Sequence, residues 1–156
     1  MWPSTRLRKV ILRSAEEKAD LELSWSRPDE EFFASGACHV LAAAFLMTYP
    51  EAGFQNWGIW PKHGHRGGHV VVVREDLVFD WAGYCHRAVF LAEYFEALRA
   101  VFPTWDADFL PIDRDPIGWD FCQTTNARHP SRFRHDPLPR ALAFVRRFPP
   151  PPGRAD

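Results

Sequence analysis

The sequence has few cysteines and no long apolar run. Its three cysteines, Cys38, Cys85 and Cys122, are too few and too scattered for a disulfide framework, which favours a reducing compartment. The longest apolar run, residues 40–47, is far shorter than the roughly 20 residues of a membrane span, and no signal-peptide core follows the basic start. We therefore expect a cytoplasmic protein, with secretion by a route that needs no cleavable signal as the alternative.

Charge and composition are those of one nearly neutral globular domain. The formal net charge of −1 excludes the overall basic balance typical of binding to nucleic acid or anionic membranes, so we expect neither as a partner. With 46% hydrophobic and 25% charged residues, the chain fits a single domain with a proper core, which we assign to residues 1–148. Four consecutive prolines then predict an extended tail at residues 149–156.

A cysteine stands where an apolar helix is expected to begin. Residues 37–48 contain alanine, leucine and methionine without glycine or proline, which favours a helix with Ser35 as its N-cap. Cys38 then lies in the first turn, where unpaired N–H groups and the helix dipole favour a nucleophilic thiolate. The alternative is a buried small hydrophobic residue, as most free cysteines are. Adjacent residues do not share a helix or strand face, so we interpret His39 and His86, which each follow a cysteine, as structural.

The most strand-like segment, residues 69–74, is followed by a second apolar run at residues 77–81. A turn at residues 75 and 76 makes the two runs a β-hairpin in which Val71 faces Asp80. His69 is then the diagonal neighbour of Asp80 on the same face, which places a carboxylate against an imidazole. A hairpin one residue longer would separate the two side chains, because the side-chain period in a strand is two.

Cys38, His69 and Asp80 therefore form a candidate nucleophile, base and orienting carboxylate. Their order, with the cysteine opening a helix and the other two residues on adjacent strands, resembles the papain-like fold of papain-type proteases, NlpC/P60 peptidases and transglutaminase-like enzymes. Gly36-Ala37-Cys38 is similar to the papain-type run of glycine, small residue and cysteine. Asp80-Trp81 is similar to the Asn-x-Trp of the strand that follows the histidine strand. The resemblance covers residues 35–81, about a third of the chain.

Three departures separate this chain from the papain-type pattern. Phe32 occupies the position, six residues before the cysteine, where papain-type enzymes place an oxyanion-hole glutamine. Asp80 replaces the usual asparagine, as it does in transglutaminase-like enzymes, and Trp81 follows it without the intervening residue. These departures concern the motifs of papain-type proteases and leave the order of cysteine, histidine and carboxylate unchanged.

The resemblance implies an α+β papain-like domain in which the nucleophile-bearing helix packs on a small antiparallel sheet. It implies a cysteine-dependent hydrolase or acyl-transfer enzyme that acts on peptide or glutamine side-chain amide bonds through a thioacyl intermediate. Protease, deamidase and transglutaminase-like activities stay open. The expected partner is a protein or peptide substrate, no cofactor is expected, and the backbone N–H of Cys38 is the expected first oxyanion donor.

Aromatic and amide side chains near the expected cleft are candidates for substrate binding. Gln55 and Asn56, in an aromatic segment that predicts a strand at residues 54–60, are candidates for the missing oxyanion donor. Trp57, Trp60 and Trp81 are candidates for ligand contact. Such rings also support an alternative of another class, a noncatalytic ligand- or protein-binding domain on the same fold.

A second alternative is a zinc site. His63, His65 and His69 form a His-x-His-x-x-x-His cluster that Cys38 could complete as a tetrahedral site. The spacing is not a specific zinc signature, and a glycine-rich loop orients ligands poorly, so we expect no metal. The same loop, residues 61–68, is a candidate to close over substrate.

Two basic segments, residues 6–13 and 126–136, are interpreted as solvated surface, with binding of an anion or acidic substrate as the alternative. Ser14 and Glu17 predict a capping box that opens a helix-prone stretch to residue 23. Further along, the sequence predicts a helix over 87–102 and a closing helix over 137–148. It also predicts short strands at 105–110 and 119–123, and a turn at 83–86.

Overall fold

A computed structural model describes residues 9–153, in which one antiparallel sheet is flanked by helices. Residues 6–8 of the first basic segment and 154–156 of the tail lie outside the described range. In chain order the elements are α1 (Ala15–Ala19), α2 (Leu21–Trp25), α3 (Asp29–Ala34), α4 (Cys38–Thr48), β1 (Gln55–Pro61), β2 (His69–Arg74), β3 (Leu77–Asp80), β4 (Gly83–His86), α5 (Arg87–Val101), β5 (Ala107–Pro111), α6 (Trp119–Thr125), a 3-10 turn (Pro130–Arg132) and α7 (Leu138–Val145). No helix within residues 9–153 combines the length and apolar character needed to cross a membrane.

The sheet has the strand order β4-β3-β2-β1-β5, and every neighbouring pair is antiparallel. In the β2–β3 hairpin, Arg74 pairs with Leu77 and Val72 with Phe79, so the turn is at residues 75 and 76. Glu75 has the positive φ, 56°, that tight hairpin turns favour. The predicted register is therefore confirmed, and it brings His69 and Asp80 to the same end of the hairpin.

Strand β2 lies at the centre of the molecule because both of its faces are covered. All six of its residues are buried, as expected for a continuous valine run. On one face Val70 and Val72 pack with α4 and α7, and on the other Val71 and Val73 pack with α5. The helix that carries Cys38 therefore packs directly on the strand that begins with His69.

Several element predictions are confirmed and others are wrong. Helix α5 has nearly the predicted bounds, and the capping box of Ser14 and Glu17 is present. Ser35 is not the N-cap of α4; it ends α3, and Ala37 precedes α4 without a side-chain cap. The helix-prone stretch to residue 23 forms two short helices, because Asp20 ends α1 and its carboxylate caps α2.

Two short segments differ in secondary structure from the prediction. Residues 83–86 form a strand rather than a turn, because pairing with β3 extends the sheet edge. Residues 119–123 form a helix rather than a strand, with Asn126 at a φ of 59° ending it. The described part of the tail lies against the sheet, where Tyr84 donates a hydrogen bond to the Pro149 carbonyl (2.9 Å) and Arg74 to that of Pro152 (2.7 Å).

Candidate active site

Cys38 is the first residue of α4, and its half-buried thiol lines a cleft. The backbone N–H of Val70 donates to its sulfur at 3.4 Å, which joins the helix start to β2. Within residues 9–153, neither the backbone N–H of Cys38 nor that of His39 donates a hydrogen bond, as expected at a helix N-terminus. Two backbone donors therefore lie beside the sulfur, one of them the expected oxyanion donor.

His69 and Asp80 form a buried pair, with side chains 1% and 2% exposed. His69 Nε2 lies 3.0 Å from Asp80 Oδ2, and the backbone N–H of Ala82 donates to Oδ1 at 3.0 Å. Both carboxylate oxygens are thus held. His69 Nδ1 has no hydrogen-bond partner among the described residues, which leaves this nitrogen for the thiol.

Apolar and aromatic side chains exclude water from this pair. Tyr94 stacks on the His69 ring with a centroid distance of 5.6 Å and an interplanar angle of 10°. Phe33, Leu41 and Phe79 line a gap beside the pair that is too small for water. A local dielectric constant below that of water strengthens the interaction between the thiol, the imidazole and the carboxylate.

The pKa values of the two groups are shifted toward an ion pair. Burial acts to lower the pKa of His69, but hydrogen bonding to Asp80 and the interaction with Cys38 outweigh it and raise the pKa to about 9. Burial acts to raise the pKa of Cys38, but the rings of His39 and His69 lower it well below its ordinary value. Both shifts act in the direction of a thiolate beside an imidazolium.

His39 contributes to this site in a way that the sequence did not reveal. Its ring is buried, and its Nε2 lies 2.7 Å from the Arg128 carbonyl oxygen, which fits the structural role predicted for it. The same ring also lowers the pKa of Cys38. A histidine directly after a helix-opening cysteine is the signal that could have indicated this second contribution.

The cleft at Cys38 has a volume of about 280 Å³, and of the five predicted substrate-contact residues only Trp60 lines it. Gln55 and Asn56 pair with Val73 and Val72, toward the far end of β2 from His69. Val73 is four residues beyond His69, or roughly 13 Å at about 3.3 Å per residue. These amides are not among the residues that line the cleft, so the geometry gives no support to their predicted role as oxyanion donors.

The other two tryptophans also lie outside the cleft lining. Trp57 packs on Phe109 at a centroid distance of 4.9 Å, and the Arg87 guanidinium covers its ring at 4.4 Å. Trp81 is half-buried against the core cluster on the α4 side of the sheet. Both rings make packing contacts in this structure, and their position gives no support to the predicted contact with substrate in the cleft.

The histidines of the proposed zinc cluster point to different partners. His65 Nε2 lies 3.3 Å from Thr104 Oγ1, and His69 is held by Asp80. Nowhere in residues 9–153 do three histidine, cysteine or acidic side chains gather in a way that could hold a metal ion. The zinc alternative therefore has no support in the geometry.

The loop before β2 is held by hydrogen bonds on the side of the sheet that α5 covers. The Trp105 indole N–H donates to the Arg66 carbonyl and the Tyr94 hydroxyl to the Gly67 carbonyl, both at 2.7 Å. A Cβ at Gly67, whose φ is 104°, would meet Leu98 Cδ1 at 2.6 Å, so this close approach requires glycine. These contacts hold the loop at the rim of the cleft and give no support to its predicted closure over substrate.

The structure shows the α+β class and the antiparallel sheet, whereas the papain-like assignment depends on the geometry of Cys38, His69 and Asp80. Comparison with known proteins adds no relative: no protein-family model, no curated protein and no solved structure gives a significant match to this chain.

Proposed function

We propose that this protein is a cysteine-dependent hydrolase or acyl-transfer enzyme with a papain-like triad, acting on amide bonds of a protein or peptide. The observation that carries the proposal is the position of His69 between a cleft thiol and a buried carboxylate 3.0 Å from Nε2. A nucleophile, a base and an orienting group in this order are the elements of nucleophilic catalysis. The roles are therefore nucleophile for Cys38, acid and base for His69, and orientation for Asp80.

In the first half of the reaction, the Cys38 thiolate attacks the carbonyl carbon of the amide and forms a C–S bond. The oxygen becomes an oxyanion, toward which the N–H groups of Cys38 and His39 can donate. The intermediate then collapses as the C–N bond breaks, and His69 gives its Nδ1 proton to the leaving amine. The products are a free amine, a thioester on Cys38 and a neutral imidazole.

In the second half, the neutral His69 takes a proton from water or from an acceptor amine. The activated acceptor attacks the thioester carbon, the C–S bond breaks, and the thiolate and imidazolium are restored. Water on a peptide bond gives a protease, water on a glutamine side chain gives a deamidase, and an amine acceptor gives transglutaminase-like transfer. Asp80 keeps the ring oriented through both halves.

The binding-domain alternative loses its original support, since only Trp60 of the three tryptophans lines the cleft. Replacement of Cys38 separates the two functions. An enzyme loses activity in Cys38→Ala while keeping its fold and ligand affinity, whereas a binding domain loses nothing.

The test of the proposed function is the pH dependence of Cys38 alkylation by iodoacetamide, followed cysteine by cysteine with mass spectrometry. We expect rapid alkylation well below pH 8 in the parent and its loss in His69→Ala, because only the thiolate reacts. Cys85 and Cys122 serve as internal controls because they are 3% and 4% exposed. His86→Ala is the matched control, since it removes an exposed imidazole outside the cleft lining.

Slow alkylation with an ordinary thiol profile in the parent and in His69→Ala would remove the catalytic proposal. Equal loss of reactivity in His69→Ala and His86→Ala would also count against it, because the effect would then not depend on the ring beside Cys38.

A further inference from the structure

Four basic side chains line the cleft together with Cys38: Arg13, Lys18, Arg66 and Arg128, which we call the cationic wall. No aspartate or glutamate is among the described residues that line the cleft. The whole chain has a formal net charge of −1, so this concentration of positive charge is local. A cleft lined by charge of one sign focuses its field on whatever enters.

The cationic wall is not neutralised from within the described part of the chain. None of its four side chains is in an ion pair within 4.0 Å of a carboxylate in residues 9–153. Arg66 instead donates to the Arg13 carbonyl, and Arg128 to that of Lys18 at 2.7 Å. These bonds to backbone oxygens fix the guanidinium groups and leave their charges in place.

Arg13 lies over the backbone that leads into Cys38. Its side chain passes over Gly36, two residues before Cys38, so that a Cβ there would meet Arg13 Nη1 at 3.0 Å. The Gly36 φ of 110° together with this contact explains the need for glycine. Burial, followed by repulsion from Arg128 and Arg27, lowers the pKa of Arg13.

Two negative groups act on Arg13 and raise its pKa: first the Cys38 thiolate, and then Glu17, which is already shared. Glu17 lies 3.4 Å from Arg27 Nε and accepts from the Ser14 backbone N–H in the capping box. Lys18, next to it, has its pKa lowered by burial and by repulsion from Arg66 and Arg13. The repulsion between like charges that are held together in this way decreases when an anion binds between them.

We propose that the peptide substrate carries an oxyanion, a carboxylate or a phosphate, beside the amide that Cys38 attacks, and that the cationic wall binds it. This inference rests on the proposed function of Cys38. Arginine supplies several N–H donors in a fixed planar fork that matches both groups. The two basic segments interpreted from sequence as solvated surface thus contribute Arg13 and Arg128 to substrate recognition.

The test compares two alkylating reagents that differ in charge, iodoacetate and iodoacetamide. In both reactions the thiolate attacks the methylene carbon, a C–S bond forms and iodide leaves. Both need the thiolate, so the ratio of their rate constants at Cys38 cancels the thiolate fraction and reports the charge of the cleft. Cys85 and Cys122, measured in urea-unfolded protein, provide the reference ratio for unstructured thiols.

We expect the iodoacetate-to-iodoacetamide ratio at Cys38 to exceed the reference ratio and to fall roughly three- to sixfold in Arg13→Gln. This is the factor that a unit charge about 4–6 Å from the reagent contributes in a water-like dielectric. Arg13→Lys should restore most of the preference, and rising ionic strength should weaken it as screening grows. Arg66→Gln is a second variant in case Arg13→Gln fails to fold. Arg146→Gln is the matched control, because it removes an exposed positive charge at the end of α7.

The outcomes separate the two proposals. Rapid alkylation by iodoacetamide with a ratio equal to the reference overturns the anionic substrate and leaves the thiolate enzyme in place. Slow reaction with both reagents overturns the proposed function, and the inference that rests on it falls with it. A decrease of equal size in Arg146→Gln overturns the assignment to the cationic wall.

Blocked tripeptides distinguish the two sources of the oxyanion. Three peptides that differ only in a central glutamate, glutamine or phosphoserine are compared as protectors of Cys38 against iodoacetamide. If the glutamate peptide protects at the lowest concentration, the group that the cationic wall binds is a carboxylate. If the phosphoserine peptide does so, the group is a phosphate. Equal protection by all three overturns the proposal.

Discussion

Replacing Asp80 by asparagine removes the negative charge next to His69 while nearly preserving side-chain volume. Asp80 hydrogen-bonds to the ring at 3.0 Å in a site closed to water, and this bond helps to raise the pKa of His69 to about 9. Asp80→Asn should therefore destabilise the protonated, imidazolium form of His69. This form stabilises the Cys38 thiolate.

The size of the effect follows from the loss of charge on one hydrogen bond. A hydrogen bond to a charged group is worth about 1.5–3 kcal/mol and one between neutral groups about 1 kcal/mol. The loss centres on about 1.25 kcal/mol, which is just under one pKa unit or a factor of about eight. The ratio of thiolate–imidazolium to neutral pair should fall by that factor.

The assay is an NMR titration of the His69 ring between pH 4 and 10. In Asp80→Asn we expect the pKa of His69 to fall by about one unit, because the imidazolium loses its charged partner. Asp76→Asn is the matched control: it makes the same substitution in the hairpin turn, where the side chain is 83% exposed. An unchanged pKa of His69 in a folded Asp80→Asn variant would refute the role of this carboxylate.

Two further predictions concern stability. The raised pKa of His69 stabilises the fold fully below about pH 6.5 and loses this effect as pH rises through about 9. The lowered pKa of Cys38 stabilises it above the unfolded value of about 8.5 and loses this effect as pH falls through the folded value. Folded and unfolded pairs each hold one proton between about pH 6.5 and 8.5. The difference in unfolding free energy between the parent and a Cys38→Ala, His69→Ala double variant should therefore be flat there and smaller outside, as measured by urea titration. Tyr94→Phe should lower the free energy of unfolding of the parent by about 1 kcal/mol, because it loses the hydrogen bond to the Gly67 carbonyl. It should leave the alkylation profile of Cys38 unchanged, because the stacked ring remains.

A slope between pH 6.5 and 8.5 in the first experiment would mean that only one group of the pair has a shifted pKa. A changed alkylation profile in Tyr94→Phe would mean that the hydroxyl, and not only the ring, acts on His69.

The β2–β3 hairpin and the start of α4 could be predicted from the sequence, because both depend on local rules. A turn at residues 75 and 76 fixes the register of β2 and β3, and the side-chain period of two then brings His69 to Asp80. The apolar composition of residues 37–48 was sufficient to predict α4, with Cys38 at its start. The buried His69–Asp80 contact was therefore predictable from two short segments.

Local rules were insufficient where burial and strand pairing decide the outcome. Residues 119–123 are as compatible with a strand as with a helix in a short apolar window, and packing selected the helix. The position of Gln55 and Asn56 depends on how β1 pairs with β2, which the sequence does not specify. Their exclusion from the cleft is a consequence of that register.

What the sequence alone determined is the local chemistry: a thiol at a helix start and an imidazole facing a carboxylate across one hairpin. What only the tertiary structure decided is which distant residues surround the thiol. Arg13 and Arg128 reach the cleft from opposite ends of the chain. The physical reason is that backbone periodicity acts over a few residues, whereas a cleft is formed by packing of segments that local sequence does not bring together.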